Sequence, residues 1–161
     1  DAEAALAQVD EGAFAIPLGP GENSLLHLVQ HVGGNLRSRF TDFLTSDGEK
    51  PDRNRDAEFE DGRTRGEAMA LWGEGWAALE TTLDALTDDD LGRTITIRGE
   101  PHGVLDALLR AFAHQSYHAG QIVLLAKHYA GPNWRTLTVP RGGSAAFNAE
   151  MSARFTDGAD R

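Results

Sequence analysis

The chain has 161 residues, enough for one domain, residues 1–161, that buries roughly two thirds of its unfolded surface. Its 25 acidic and 15 basic residues leave a net charge of −10, which repels a phosphate backbone and argues against nucleic-acid binding. Cysteine is absent, which excludes disulfides, thiolate metal sites and cysteine nucleophiles, and no apolar run approaches the roughly 18 residues of a membrane span.

The opening DAEAALAQVDEG is acidic and amphipathic, unlike a signal peptide, and with the missing cysteines it fits a cytoplasmic protein. Ala and Leu at helical spacing predict a short first helix over Ala2–Val9, broken by FAIPLGPG at Phe14–Gly21. Asn23 or Ser24 can cap a second helix running to about Leu44. Its apolar residues Leu25, Leu28, Val32, Leu36, Phe40 and Phe43 step by three and four. The Gly33–Gly34 pair inside it costs about 1 kcal/mol per glycine relative to alanine, which suggests close approach by a neighbouring element. A long polar loop, Thr45–Arg65, follows; its arginines alternate with Asp52, Asp56, Glu58, Glu60 and Asp61, so it forms no basic patch.

A third helix is expected from about Gly66 to Leu86, with Met69, Trp72, Trp76, Leu79, Leu83 and Leu86 on one stripe. TITIR at Thr94–Arg98 alternates like a short strand, and Gly99-Glu-Pro turns the chain. The last long helix, roughly Val104–Tyr129, is apolar on most faces, which predicts that it is buried centrally. Gly131-Pro132 stops it, the stretch through Asn148 reads as irregular, and residues from about Ala149 read as mobile. The pattern is that of a mainly α domain of four helices with long connecting loops.

The histidines carry the chemistry. His114 and His118, in HQSYH on the most apolar helix, lie one turn apart on one face, so two imidazoles can meet one cation. His27 and His31 repeat the spacing on the second helix and compete as further ligands. Three imidazoles around a metal leave a position open, the pattern of catalytic rather than structural sites. His102 in a turn and His128 near a helix end read as non-functional. Asn35, one turn from His31, can hydrogen-bond a metal-bound group or simply pack the helix. Gln121 can orient the His118 imidazole, and Tyr117 reads as core or groove wall.

Three segments carry a resemblance that spans nearly the whole chain: HVGGNLRSRFTDFLTSDGEKPDRNRDAEF (His31–Phe59), HQSYHAGQIVLLAK (His114–Lys127) and VPRGGSAAFN (Val139–Asn148). Together they resemble the DinB-like superfamily, and within it the uncharacterised branch related to YfiT-like metal-dependent hydrolases. The resemblance implies an all-α, DinB-like four-helix bundle, up-down-down-up, that pairs as a homodimer. It also implies nickel or zinc held by His31, His114 and His118, and leaves His27 outside that set.

Relatives in that superfamily include thiol-dependent transferases and isomerases. The resemblance thus implies a metal-dependent transferase or hydrolase acting on a small-molecule substrate, with a low-molecular-weight thiol as a possible cosubstrate. In the GEKP-x-RxRD-x-EF loop, Arg53 and Arg55 can clamp a carboxylate or phosphate or pair with Asp56 and Glu58, and Arg141 offers the same alternatives. Glu58 can serve as a general base if it folds over the metal. Two other classes of function stand beside the enzyme: a non-catalytic metal or small-ligand binding or stress-response module, and a bundle that the metal merely stabilises.

Overall fold

The computed structural model describes residues 1–156. Its first helix, α1 (Ala2–Leu6), buries Ala5 and Leu6. Arg65 holds the end of this segment by donating to the carbonyls of Leu6 (2.9 Å) and Val9 (2.7 Å). Such bonds satisfy carbonyls that a helix end leaves without partners.

The helix α2 (Leu25–Phe40) starts at Ser24, whose hydroxyl accepts the His27 backbone N–H at 3.3 Å. The His27 ring returns the bond, its Nδ1 accepting from the Ser24 backbone N–H at 3.4 Å. This is a capping box with histidine in the place usually taken by Glu or Gln. Thirteen of its sixteen residues are buried, so α2, not the last long helix, is the centre of the bundle. It stops four residues short of the expected Leu44, because Thr41 is extended and Asp42 takes a left-handed conformation (φ 49°).

The helix α3 (Arg65–Ala85) is capped by Thr64 and Glu67 in the same reciprocal manner. Contacts between α2 and α3 climb together along both chains. Gly33 faces the backbone of Leu71 and Trp72, Leu36 faces Gly75, and the Thr82 hydroxyl donates to the Phe40 carbonyl at 2.9 Å. The two helices therefore run parallel, and glycine is what lets them meet: a Cβ on Gly33 would lie 2.6 Å from the Leu71 carbonyl oxygen.

After a 3₁₀ turn at Asp88–Gly92, β1 (Thr94–Ile97) pairs antiparallel with β2 (Glu100–Gly103). Arg98 and Gly99 join them with positive φ at both positions (57° and 75°), the type I′ turn whose twist suits a hairpin. The Asp47 carboxylate accepts from the N–H groups of Arg98 and Gly99, both at 2.8 Å, and so ties the crossover loop to this turn. The strand β2, and His102 within it, occupies what the sequence pattern presents as a turn.

The helix α4 (Val104–Ala130) runs antiparallel to α2. Leu28 shares a cleft with Gln121 and Leu125, His31 meets His114 and His118, and Phe40 shares a cavity with Ala107. The directions of α2, α3 and α4 are those of the last three helices of an up-down-down-up bundle, and the fold is an all-α helical bundle. Central burial of α4 is not found. It buries Val104, Ala107, His118, Ile122 and Leu125 but leaves Leu105, Leu109, Phe112, Tyr117 and Leu124 exposed.

The segment expected to be irregular ends in a further helix, α5 (Ser144–Thr156). Its outer surface is exposed along nearly all its length, which leaves no strong apolar stripe in the sequence to announce it. The expectation for the last five positions, 157–161, lies outside the described residues.

Candidate metal centre

Two helices and the crossover loop build the site. The helix α2 presents His31 and, at successive turns, Asn35 and Arg39; α4 presents His118, His114 and Arg110 at the same spacing. Because α2 and α4 are antiparallel, the histidines of both rows meet at one level and the arginines at another.

His31 lies 5.1 Å from His114 and 4.9 Å from His118 between ring centroids, and His114 lies 4.5 Å from His118. One nitrogen from each of the three rings falls within 4.8 Å of the others, so the group can hold a metal ion. Nitrogens about 2.0–2.1 Å from a tetrahedral ion stand about 3.3 Å apart. The Nε2 atoms of His31 and His114, 3.2 Å apart, already have that spacing.

In His31 and His118 the other ring nitrogen is engaged in a way that suits the same purpose. His31 Nδ1 donates to Glu58 Oε2 at 2.8 Å, and His118 Nδ1 donates to the Gln121 carbonyl at 2.7 Å. Each bond fixes the tautomer and leaves Nε2 with its lone pair facing the cluster. Burial, then the nearby His118 and His31, push the His114 pKa down to about 4. Burial also lowers that of His118, against the pull of its bond to Gln121. Both rings are thus neutral at pH 7, the form that ligates a cation. His27 takes no part: besides closing its cap it donates from Nε2 to Asp61 at 3.1 Å.

Glu58 lies behind His31, not over the open side of the cluster. Arg53 grips it with two bonds, Nε to Oε1 at 2.8 Å and Nη2 to Oε2 at 2.9 Å. Burial works to raise the Glu58 pKa, but the bonds from His31 and Arg53 outweigh it and hold the carboxyl below its ordinary value. Gly34 makes the space, since a Cβ there would run into the Glu58 carboxylate. Gln30 fixes the loop backbone by donating to the carbonyls of Glu58 (3.3 Å) and Glu60 (3.4 Å). The 3₁₀ turn Asp56–Phe59 also brings Phe59 to 4.8 Å from the His31 ring.

A cavity of about 190 Å³ opens beside His31 and His114. Asn35 lines it, buried, its side-chain amide making no hydrogen bond to another described residue. Arg53 and Arg55 also reach it, Arg55 with its guanidinium 5.3 Å from the centre of the Phe59 ring. Tyr117 is neither core nor groove wall; it is 64% exposed and accepts a bond from Gln121 at 3.4 Å. Arg141 does not line the cavity.

The structure adds Arg39, Arg98 and Arg110, which sequence reasoning passed over. For Arg39 and Arg110 a signal was present, as each continues a histidine row by four residues. For Arg98 there was none, because its place depends on how the hairpin packs.

A family model described as "Protein of unknown function (DUF1572)" matches residues 1–143 of the chain. No curated protein and no solved structure matches it.

Proposed function

The chain belongs to the DUF1572 family, which is DinB-like, and on that premise we propose that it is a metal-dependent enzyme of the YfiT-like kind. His31, His114 and His118 would hold a divalent cation, zinc or nickel, beside the cavity that receives a small-molecule substrate. The observation that carries this reading is the convergence of three imidazoles whose donor atoms lie within 4.8 Å of one another, next to open space. Three polar rings gathered between two helices, two of them buried, serve poorly as packing, since burying polar groups costs free energy that an apolar side chain would not.

A cation bound there would supply Lewis acidity, lowering the pKa of a bound water or thiol or polarising a carbonyl. The chain's own residues do the rest. Glu58 and Gln121 orient two of the rings, Arg53 keeps Glu58 charged and in place, and Asn35 offers its amide to the substrate. The reaction class is transfer to or from a low-molecular-weight thiol, or hydrolysis. The first fits a protein with no cysteine of its own, in which the thiolate would arrive with the cosubstrate. The exposed row Leu105, Leu109 and Phe112 on α4 supports pairing with a second copy of the chain.

Elemental analysis of untagged protein tests the metal directly. About one equivalent of zinc or nickel is expected in the wild type and little in His31→Ala. Equal content in both would remove the basis for the reading.

A further inference from the structure

The cavity beside the histidines has an unusual electrostatic wall for a chain of net charge −10. Five guanidinium groups line it: Arg39 from α2, Arg53 and Arg55 from the crossover loop, Arg98 from the hairpin turn and Arg110 from α4. Among the described residues, two carboxylates neutralise them. Glu58 is held by Arg53. Glu49 is divided among Arg39 (2.9 Å), Arg98 (3.1 Å) and Arg53 (3.4 Å).

The remaining two pair with no carboxylate among the described residues. Arg55 lies over Phe59, and Arg110 donates only to the His102 ring, at 3.4 Å, whose other neighbour is the exposed Glu100. The excess of three positive charges faces one concave surface drawn from four separate segments. Low-dielectric walls around like charges focus the field into the cleft. The delocalised guanidinium keeps its charge where a lysine would more readily shed its proton, so the crowding is not relieved that way.

Much of the remaining wall is apolar, formed by Phe40, Phe43, Ile95, Ile97, Ala107 and Ala111. We propose that this cavity takes a small organic anion, a short carbon skeleton bearing a carboxylate or phosphoryl group. Arg55, Arg98 and Arg110 hold the charged group, and the skeleton lies along the apolar wall toward His31 and His114. That the bound molecule meets a metal at its other end rests on the function proposed above; the anion site itself does not. At about 190 Å³ the cavity is smaller than the roughly 300–1,000 Å³ of sites for drug-sized ligands, so it encloses a few carbon atoms and the anionic group. A planar guanidinium pair matches the two oxygens of either group.

The test is calorimetric titration of the full chain with succinate, with inorganic phosphate and with neutral succinamide, using wild type, Arg55→Gln/Arg110→Gln and Arg37→Gln as a surface control. Saturable binding of succinate or phosphate, no binding of succinamide, and a loss of about tenfold or more in the double variant alone are expected. Binding also weakens as salt is raised to about 0.5 M. Succinate bound in preference to phosphate identifies a carboxylate substrate, and the reverse a phosphoryl one. Absence of saturable anion binding to the wild type, or equal binding by the double variant, would overturn the proposal. Metal content measured on the same samples separates the two readings: anion binding without metal leaves this one standing and removes the other, and metal without anion binding does the opposite. Unchanged melting of the double variant excludes misfolding as the cause.

Discussion

His31 donates from Nδ1 to Glu58 Oε2 across 2.8 Å, so a residue of the crossover loop decides which nitrogen of a core helix histidine faces the site. Arg53, on the far side of that carboxylate, keeps it ionised.

Glu58→Gln is therefore expected to lower metal affinity by about 10–100-fold while the fold persists. Competition against a chromogenic chelator measures it. An affinity equal to the wild type would show that the bond does not tune the ring.

The two glycines of α2 separate packing from site geometry. Gly33→Ala drives a methyl into the Leu71–Trp72 backbone and should cost about 2–3 kcal/mol, read as a fall in Tm. Gly34→Ala meets the Glu58 side chain instead, so its main effect should be on metal affinity. Gly73→Ala, exposed on α3 with open space around it, should stabilise by about 0.5–1 kcal/mol.

His27→Ala tests the division of labour between the paired histidines. It removes one half of the α2 cap and should cost about 1 kcal/mol, with metal content unchanged. A metal-free His27→Ala would return that residue to the ligand set.

Asp47 sets a pH dependence. Its carboxyl is held well below the usual range, first by the Glu49 backbone N–H and then by those of Gly99 and Arg98. A depressed folded pKa gives stability that is present above the ordinary value of about 3.9 and is lost as pH falls below it. In urea melts the gap between wild type and Asp47→Asn should be widest near neutral pH and shrink below about pH 4. A gap constant with pH would assign the contact to shape alone.

Pairing through α4 predicts that Phe112→Asp, at a position 72% exposed, shifts the sedimentation of the chain from dimer to monomer without lowering its helix content. A wild type that sediments as a monomer at high concentration would exclude this surface as a dimer contact.

The three long helices were legible because their apolar residues recur every three or four positions and Ser24 marks one start; the Thr64 cap of α3 is visible only in the structure. Spacing by four likewise made the His114 and His118 pair legible, whereas the choice of His31 over His27 rested on the family resemblance. What escaped was whatever depends on contacts between distant segments. EPHG becomes a strand because the Arg98–Gly99 turn and Asp47 hold it beside β1, although its proline and glycine argue against one. An apolar helix shows how much of it can be covered but not which side is, hence the reversal between α2 and α4. Glu58 reads from the sequence as a carboxylate near the site; only the packing of Gly34 puts it behind the ring.

Parallel α2 and α3 impose a condition on the chain between them. A helix of 16 residues is about 24 Å long, so a return from its end to the start of a parallel neighbour needs at least about seven extended residues. The connection has 24. A loop trimmed to that minimum would still let the two helices pack through Gly33 and Gly75, yet it would carry away Glu49, Arg53, Arg55 and Glu58 together. The bundle and the site are thus separable by length: shortening this one connection should leave a folded protein with bare histidines, which makes the loop the place where relatives of the same architecture can gain or lose their chemistry in a single deletion.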